Sequence, residues 1–162
     1  MKLVREIALL LFLAFTIATA ANATERTLEL RPLSDSAWGE DWAGGCWFSN
    51  EFDSKGGGQL MFLIRGEGKE SVAVFDLDGE LKKIPYARTI TASKRFRMGA
   101  RDTYLYQSDG VKIQVTTIVT EVPGGNECAG DCSESSGYAA EIKIQTEKTM
   151  RKYKFKTGAC GL

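Results

Sequence analysis

Residues 103–122 read Thr-Tyr-Leu-Tyr-Gln-Ser-Asp-Gly-Val-Lys-Ile-Gln-Val-Thr-Thr-Ile-Val-Thr-Glu-Val, and this stretch decides the fold. Asp109-Gly110 is a residue pair that tolerates the left-handed backbone of a tight two-residue hairpin. With that pair as the loop, Ser108 faces Val111, Tyr106 faces Ile113 and Tyr104 faces Val115. Side chains alternate between the two faces of a strand, so these six share one surface. Leu105, Gln107, Lys112 and Gln114 take the other. The first face is core and the second lies in water.

The same signature recurs along the chain. Residues 71–77 and 80–84 flank Asp78-Gly79, a second hairpin that aligns Leu77, Phe75 and Ala73 with Glu80, Lys82 and Ile84. Residues 59–64 are apolar almost throughout, as in a strand covered on both faces. Residues 45–50 form a strand with Cys46 and Phe48 on one face and Trp47 on the other. Residues 88–98 are expected to be a strand with Ile90, Ala92, Phe96 and Met98 in phase. After 111–115 the apolar phase slips from odd to even positions, as a β-bulge near Thr116-Thr117 would produce; coverage of both strand faces is the other explanation. Tyr138, Ala140, Ile142 and Ile144 alternate with polar residues, and so do Tyr153, Phe155 and Thr157. Cys160 is one residue out of that last phase, a slip that a bulge at Gly158 absorbs. No helical period appears after the first 23 residues. The fold class is all-β: a small antiparallel meander barrel or flattened sandwich of eight or nine strands.

Residues 1–23 carry Lys2 and Arg5, then an apolar run over 7–17, then Ala21-Asn22-Ala23. This is the pattern of a cleaved secretory signal peptide, and the run is too short for a stable membrane span. Residues 24–43 are an N-terminal extension, with an alternation Thr27-Leu28-Glu29-Leu30 ended by Pro32. Trp38 and Trp42 are candidates to drape over the barrel mouth or pack its end. Residues 44–162 form a single barrel domain. The expected location is extracytoplasmic, periplasmic or secreted.

Four cysteines in an exported chain point to disulfides. Three connectivities are open; the favoured one pairs Cys46 with Cys160 and Cys128 with Cys132. The chain has no histidine, so a four-cysteine zinc site has weak support, and no metal or other cofactor is expected. Asp76-Leu77-Asp78-Gly79-Glu80 lacks the ligand pattern of an EF-hand, and a tight turn accounts for it.

Without histidine, the Ser/His/Asp and Cys/His arrangements are excluded. Glu40, Asp41, Glu51 and Asp53 are the carboxylates left for a hydrolase, and they read better as a solvated rim. The chain holds 21 basic and 21 acidic residues. Leader removal leaves 19 and 20, a net charge of −1, so overall charge indicates no nucleic-acid partner. The charge is nonetheless patterned. Arg88, Lys94, Arg95, Arg97 and Arg101 make one basic stretch, and Lys143, Lys148, Arg151, Lys152, Lys154 and Lys156 another. An arginine-bearing patch can dock carboxylates or phosphates; a lysine-lined strand also protects a sheet edge from pairing.

The leader, Gly45-Cys46-Trp47-Phe48-Ser49, Asp76-Leu77-Asp78-Gly79-Glu80-Leu81, the Asp-Gly hairpin and the final Gly158-Ala159-Cys160-Gly161 resemble small uncharacterised exported bacterial proteins. More distantly, the size and β-organisation are similar to periplasmic inhibitors of c-type lysozyme. There a Ser-Gly-x-x-Tyr segment supplies a serine to the enzyme's cleft. The nearest equivalent here, Ala92-Ser93-Lys94-Arg95-Phe96, has neither the glycine nor the tyrosine. That resemblance makes Ser93 and Lys94 candidate contacts.

The expected function is therefore a non-catalytic exported domain that binds an acidic or cell-wall-associated protein. Candidate contacts are Arg88, Ser93, Lys94, Arg95, Arg97 and Arg101. The alternatives are an inhibitor of a lysozyme-type hydrolase, a small-ligand carrier with an open barrel, and a carboxylate hydrolase.

Overall fold

The computed structural model describes residues 28–34, 44–50, 58–122 and 136–160. Ten strands succeed one another: β1 (Leu30–Arg31), β2 (Gly45–Ser49), β3 (Leu60–Arg65), β4 (Val72–Leu77), β5 (Glu80–Thr91), β6 (Arg101–Ser108), β7 (Val111–Glu121), β8 (Ser136–Thr146), β9 (Met150–Phe155) and β10 (Thr157–Cys160). Eight of them close an antiparallel barrel in the order β4-β3-β2-β10-β8-β7-β6-β5, with β5 returning to β4. The extra two are β1, which pairs with β4, and β9, which pairs with β8. Among the described residues a 3₁₀ turn (Gly68–Glu70) interrupts the strands.

Turn chemistry sets the register. Asp109-Gly110 puts Ser108 opposite Val111, Tyr106 opposite Ile113 and Tyr104 opposite Val115. Asp78-Gly79 pairs Leu77, Phe75 and Ala73 with Glu80, Lys82 and Ile84. Asp78 and Gly79 both have positive φ, 56° and 87°, as the tight hairpin requires. The Asp76 carboxylate accepts the Gly79 N–H at 2.8 Å, and that of Asp78 accepts the Glu29 N–H at 2.8 Å. Both acids therefore fix backbone.

These registers converge the inward rows on one axis. Phe48, Phe62, Phe75, Tyr106, Ile113, Ile142 and Ile144 are all at most 1% exposed. The Phe62 and Phe75 rings stack with centroids 5.4 Å apart. Strand β3 is covered on both faces, because Leu63 lies in a second apolar layer with Val74 and Leu33. The described part of the N-terminal extension is built into the same core: Leu28 is 1% exposed, and its carbonyl accepts the Tyr153 hydroxyl.

The structure corrects three expectations. Strand β7 keeps a single phase, with Ile113, Val115, Thr117 and Val119 all buried. No bulge falls at Thr116-Thr117; the register shift lies between Val119 and Glu121. The slip read from the sequence arises because Thr117 takes an inward position while Ile118 is half-buried on the outer face.

The second correction concerns residues 88–98. Strand β5 runs through Pro85 to Thr91 and stops there. Its pairing with β6 shifts between Tyr86 and Arg88 and again between Thr89 and Thr91, which breaks the alternation. Ile90 and Met98 are 42% and 46% exposed, so neither belongs to the core.

The third lies near the C-terminus. The break in phase is a bend at Lys156 between β9 and β10, whereas Gly158 pairs regularly with Phe48.

Candidate functional site

Where β5 leaves the sheet, residues 92–100 fold back before β6 begins, and local hydrogen bonds hold that shape. The Ser93 hydroxyl donates to the Arg101 carbonyl at 2.9 Å and accepts the Arg101 N–H at 3.0 Å. The Ser93 N–H donates to the Asp102 carboxylate. The Ala100 N–H donates to the Arg97 carbonyl at 2.9 Å. Gly99 and Ala100 then continue the ladder onto β7, through Gly99 N–H to the Val119 carbonyl and Val119 N–H to the Ala100 carbonyl. Phe96 anchors the loop from below, its ring centroid 6.3 Å from that of Tyr138 on β8.

This closed loop bounds a hollow of about 680 Å³ lined by Ser93, Lys94, Arg95, Arg97, Met98 and Arg101, among others. Lys94, Arg95, Arg97 and Arg101 are all exposed. Ion pairs among the described residues include Arg31–Glu29, Lys82–Glu80 and Lys154–Glu141; none of the loop's four cations pairs with a described acid. The structure thus gathers five of the six candidate contacts around one concavity. Arg88 is exposed on β5, opposite Leu105 of β6, and does not line it.

Ser93 has a different place from the one its candidacy implied. Its hydroxyl is used twice in closing the loop, which leaves Lys94 as the outward-facing member of that pair. Sequence reading missed Asp102 and Phe96 as the residues that shape the loop. Asp102 leaves no periodic signal and Phe96 leaves a misleading one, since their contacts, with Ser93 and Tyr138, depend on where β5 ends.

Behind the loop, the Tyr104 phenol is pushed up to about 12, first by burial and then by the nearby Asp102 charge. Tyr138 is raised by the same two causes. Both therefore stay neutral at ordinary pH. A loop of exposed cations on neutral phenols can attract and orient anions.

Cys46 and Cys160 form a disulfide. Cys128, Cys132, Trp38, Trp42 and the carboxylates Glu40, Asp41, Glu51 and Asp53 lie outside the described residues. Among the described residues there is no group of three or more cysteines and acids able to hold a metal, and no helix long and apolar enough to cross a membrane.

Fold and site together define a disulfide-closed antiparallel β-barrel that presents a stapled basic loop. Comparison with family models, with curated proteins and with solved structures finds no match to this chain.

Proposed function

We propose that this chain is a non-catalytic extracytoplasmic binding barrel whose loop 92–101 docks on an acidic surface of a partner protein. The observation that carries the reading is the Ser93–Arg101–Asp102 staple, which fixes the backbone of a loop whose four cations form no ion pair with a described residue. A loop ordered in advance loses less entropy on binding, and arginine's planar donors suit carboxylates bidentately. Export by a cleaved leader is part of the proposal, and the Cys46–Cys160 disulfide fits an oxidising compartment.

The test compares capture from the native envelope by the mature chain and by a variant with Lys94, Arg95, Arg97 and Arg101 all changed to Ser. A partner with an acidic docking face, held by the first and lost by the second, supports the reading. Equal retention by both chains overturns it.

A second reading is the inhibitor of a lysozyme-type hydrolase, favoured by Lys94 standing exposed beside the stapled Ser93. Glycosidase clefts carry paired carboxylates, to which a protruding ammonium is complementary. Direct assay of c-type lysozyme with and without the mature chain decides it: inhibition that Lys94→Ser weakens supports it, and full enzyme activity at excess chain removes it.

A further inference from the structure

The outer wall opposite the inward row of β8 carries a second basic feature, independent of the loop. Lys143 on β8 and Lys152 on β9 are direct cross-strand partners, and Gln114 on β7 is the partner of Lys143 from the other side. Since Ile142 and Ile144 point inward and are buried, Gln114, Lys143 and Lys152 form one rung on the outside. The next rung is Thr116, Glu141 and Lys154, where Lys154 Nζ stands 3.6 Å from Glu141 Oε1. These six residues line a hollow of about 250 Å³.

The charges in that hollow do not cancel. Three lysines and one glutamate give a net +2, and the single carboxylate is already met by Lys154. Lys143 and Lys152 form no ion pair with a described residue. Directly opposed side chains have Cβ atoms about 4.5–5.5 Å apart, and like charges so placed destabilise the sheet. Edge protection explains lysines on β9, whose far side pairs with no described strand. It does not explain Lys143, because β8 is paired along both sides there.

We infer that the Gln114–Lys143–Lys152 rung is a binding site for a phosphate monoester. Two ammonium groups on flexible stems can converge on one tetrahedral oxyanion, whose charge of about −1.5 to −2 at neutral pH matches the net +2. The Gln114 amide and the Thr116 hydroxyl add neutral donors. The phosphate group belongs either to a soluble monoester or to a lipid headgroup, and both present the same chemistry to the rung.

The experiment uses the mature chain with two probes: inorganic phosphate, and phosphatidylcholine vesicles with or without phosphatidic acid. At ionic strength matched with chloride, phosphate should raise the melting temperature and shift the amide resonances of Lys143 and Lys152. Lys143→Gln and Lys152→Gln should each weaken that response at least threefold while melting no lower than the parent without phosphate, since each relieves repulsion. Lys82→Gln, at a lysine paired with Glu80, should retain the full response. Vesicle binding that needs phosphatidic acid and both lysines assigns a lipid source; a response to soluble phosphate alone assigns a soluble one. A parent that responds identically to phosphate and chloride, or variants that respond like the parent, overturns the site.

Discussion

Cys46 and Cys160 stand directly opposite each other on β2 and β10, with Cα atoms 4.0 Å apart across a sequence separation of 114 residues. Their bond locks the seam where the last strand meets the first of the barrel. A cross-link over so long a loop removes much of the unfolded chain's freedom, about 4–5 kcal/mol on the chain-entropy account. The Cys46→Ser/Cys160→Ser double variant should lose stability of that order, read from the urea midpoint at constant slope. A loss below about 1 kcal/mol would show that loop closure contributes little here.

Gly158 faces Phe48 across the same seam, and a Cβ placed on it would lie 2.5 Å from Phe48 Cδ1 and 2.5 Å from the Trp47 carbonyl. Phe48 is fully buried, so its ring has nowhere to retreat. Gly158→Ala should destabilise the barrel by about 1–3 kcal/mol, the usual range for overpacking. Thermal unfolding of the variant beside the parent checks it; unchanged melting would mean that β10 moves freely away from β2.

The hairpins were legible because their cause is local: Asp109-Gly110 and Asp78-Gly79 each fix a turn, and the turn fixes every pair that follows. The double coverage of β3 also followed from residue type, and Cys46–Cys160 was the favoured member of three possible pairings. What stayed hidden is non-local. Ile90, Ala92, Phe96 and Met98 alternate like a core row, yet β5 has two register shifts and ends at Thr91, and Phe96 packs sideways on Tyr138. The site was half legible for the same reason: its cations form a visible run, whereas Asp102 joins Ser93 only once the chain has doubled back.

Ser71 and Tyr106 give a prediction with a built-in asymmetry. Tyr106 is 1% exposed and its hydroxyl lies 3.3 Å from Ser71 Oγ, which itself donates to the Gly68 carbonyl at 2.8 Å. Tyr106→Phe removes one hydrogen bond and leaves Ser71 satisfied, for a loss of about 1 kcal/mol. Ser71→Ala leaves a phenol hydroxyl buried without its partner, for about 1–3 kcal/mol. Ser71→Ala should therefore be the more damaging change by urea titration; the reverse order would place the energy in the Gly68 contact.

Tyr104 makes stability depend on alkaline pH. Burial, then the charge on Asp102, raises the phenol from 10.0 to about 12 in the folded chain, so the fold holds that proton more tightly than the unfolded chain does. The stabilisation is complete below pH 10 and is lost as pH rises from 10 towards 12. Tyr106 and Tyr138 are shifted in the same direction and add to the fall. Tyr104→Phe should flatten the decline of the urea midpoint over that window relative to the parent, and parallel profiles would mean that the phenol ionises as easily folded as unfolded.

Loop 92–100 should depend on Ser93 far more than the barrel does. The Ser93 hydroxyl both donates to and accepts from the Arg101 backbone, and this end of the loop is exposed. Ser93→Ala deletes both bonds at a site where local opening does not require unfolding the core. The global melting temperature should barely move, while exchange of the Arg101 amide should accelerate about fivefold, the equivalent of about 1 kcal/mol for a lost hydrogen bond. Ser93→Thr, which keeps the hydroxyl, should restore slow exchange. If docking uses the loop as a preformed shape, Ser93→Ala also weakens partner affinity without removing a charge, and Ser93→Thr recovers it. Affinity that tracks the cations alone and ignores both Ser93 variants would reduce the loop to a diffuse charge and take the shape out of recognition.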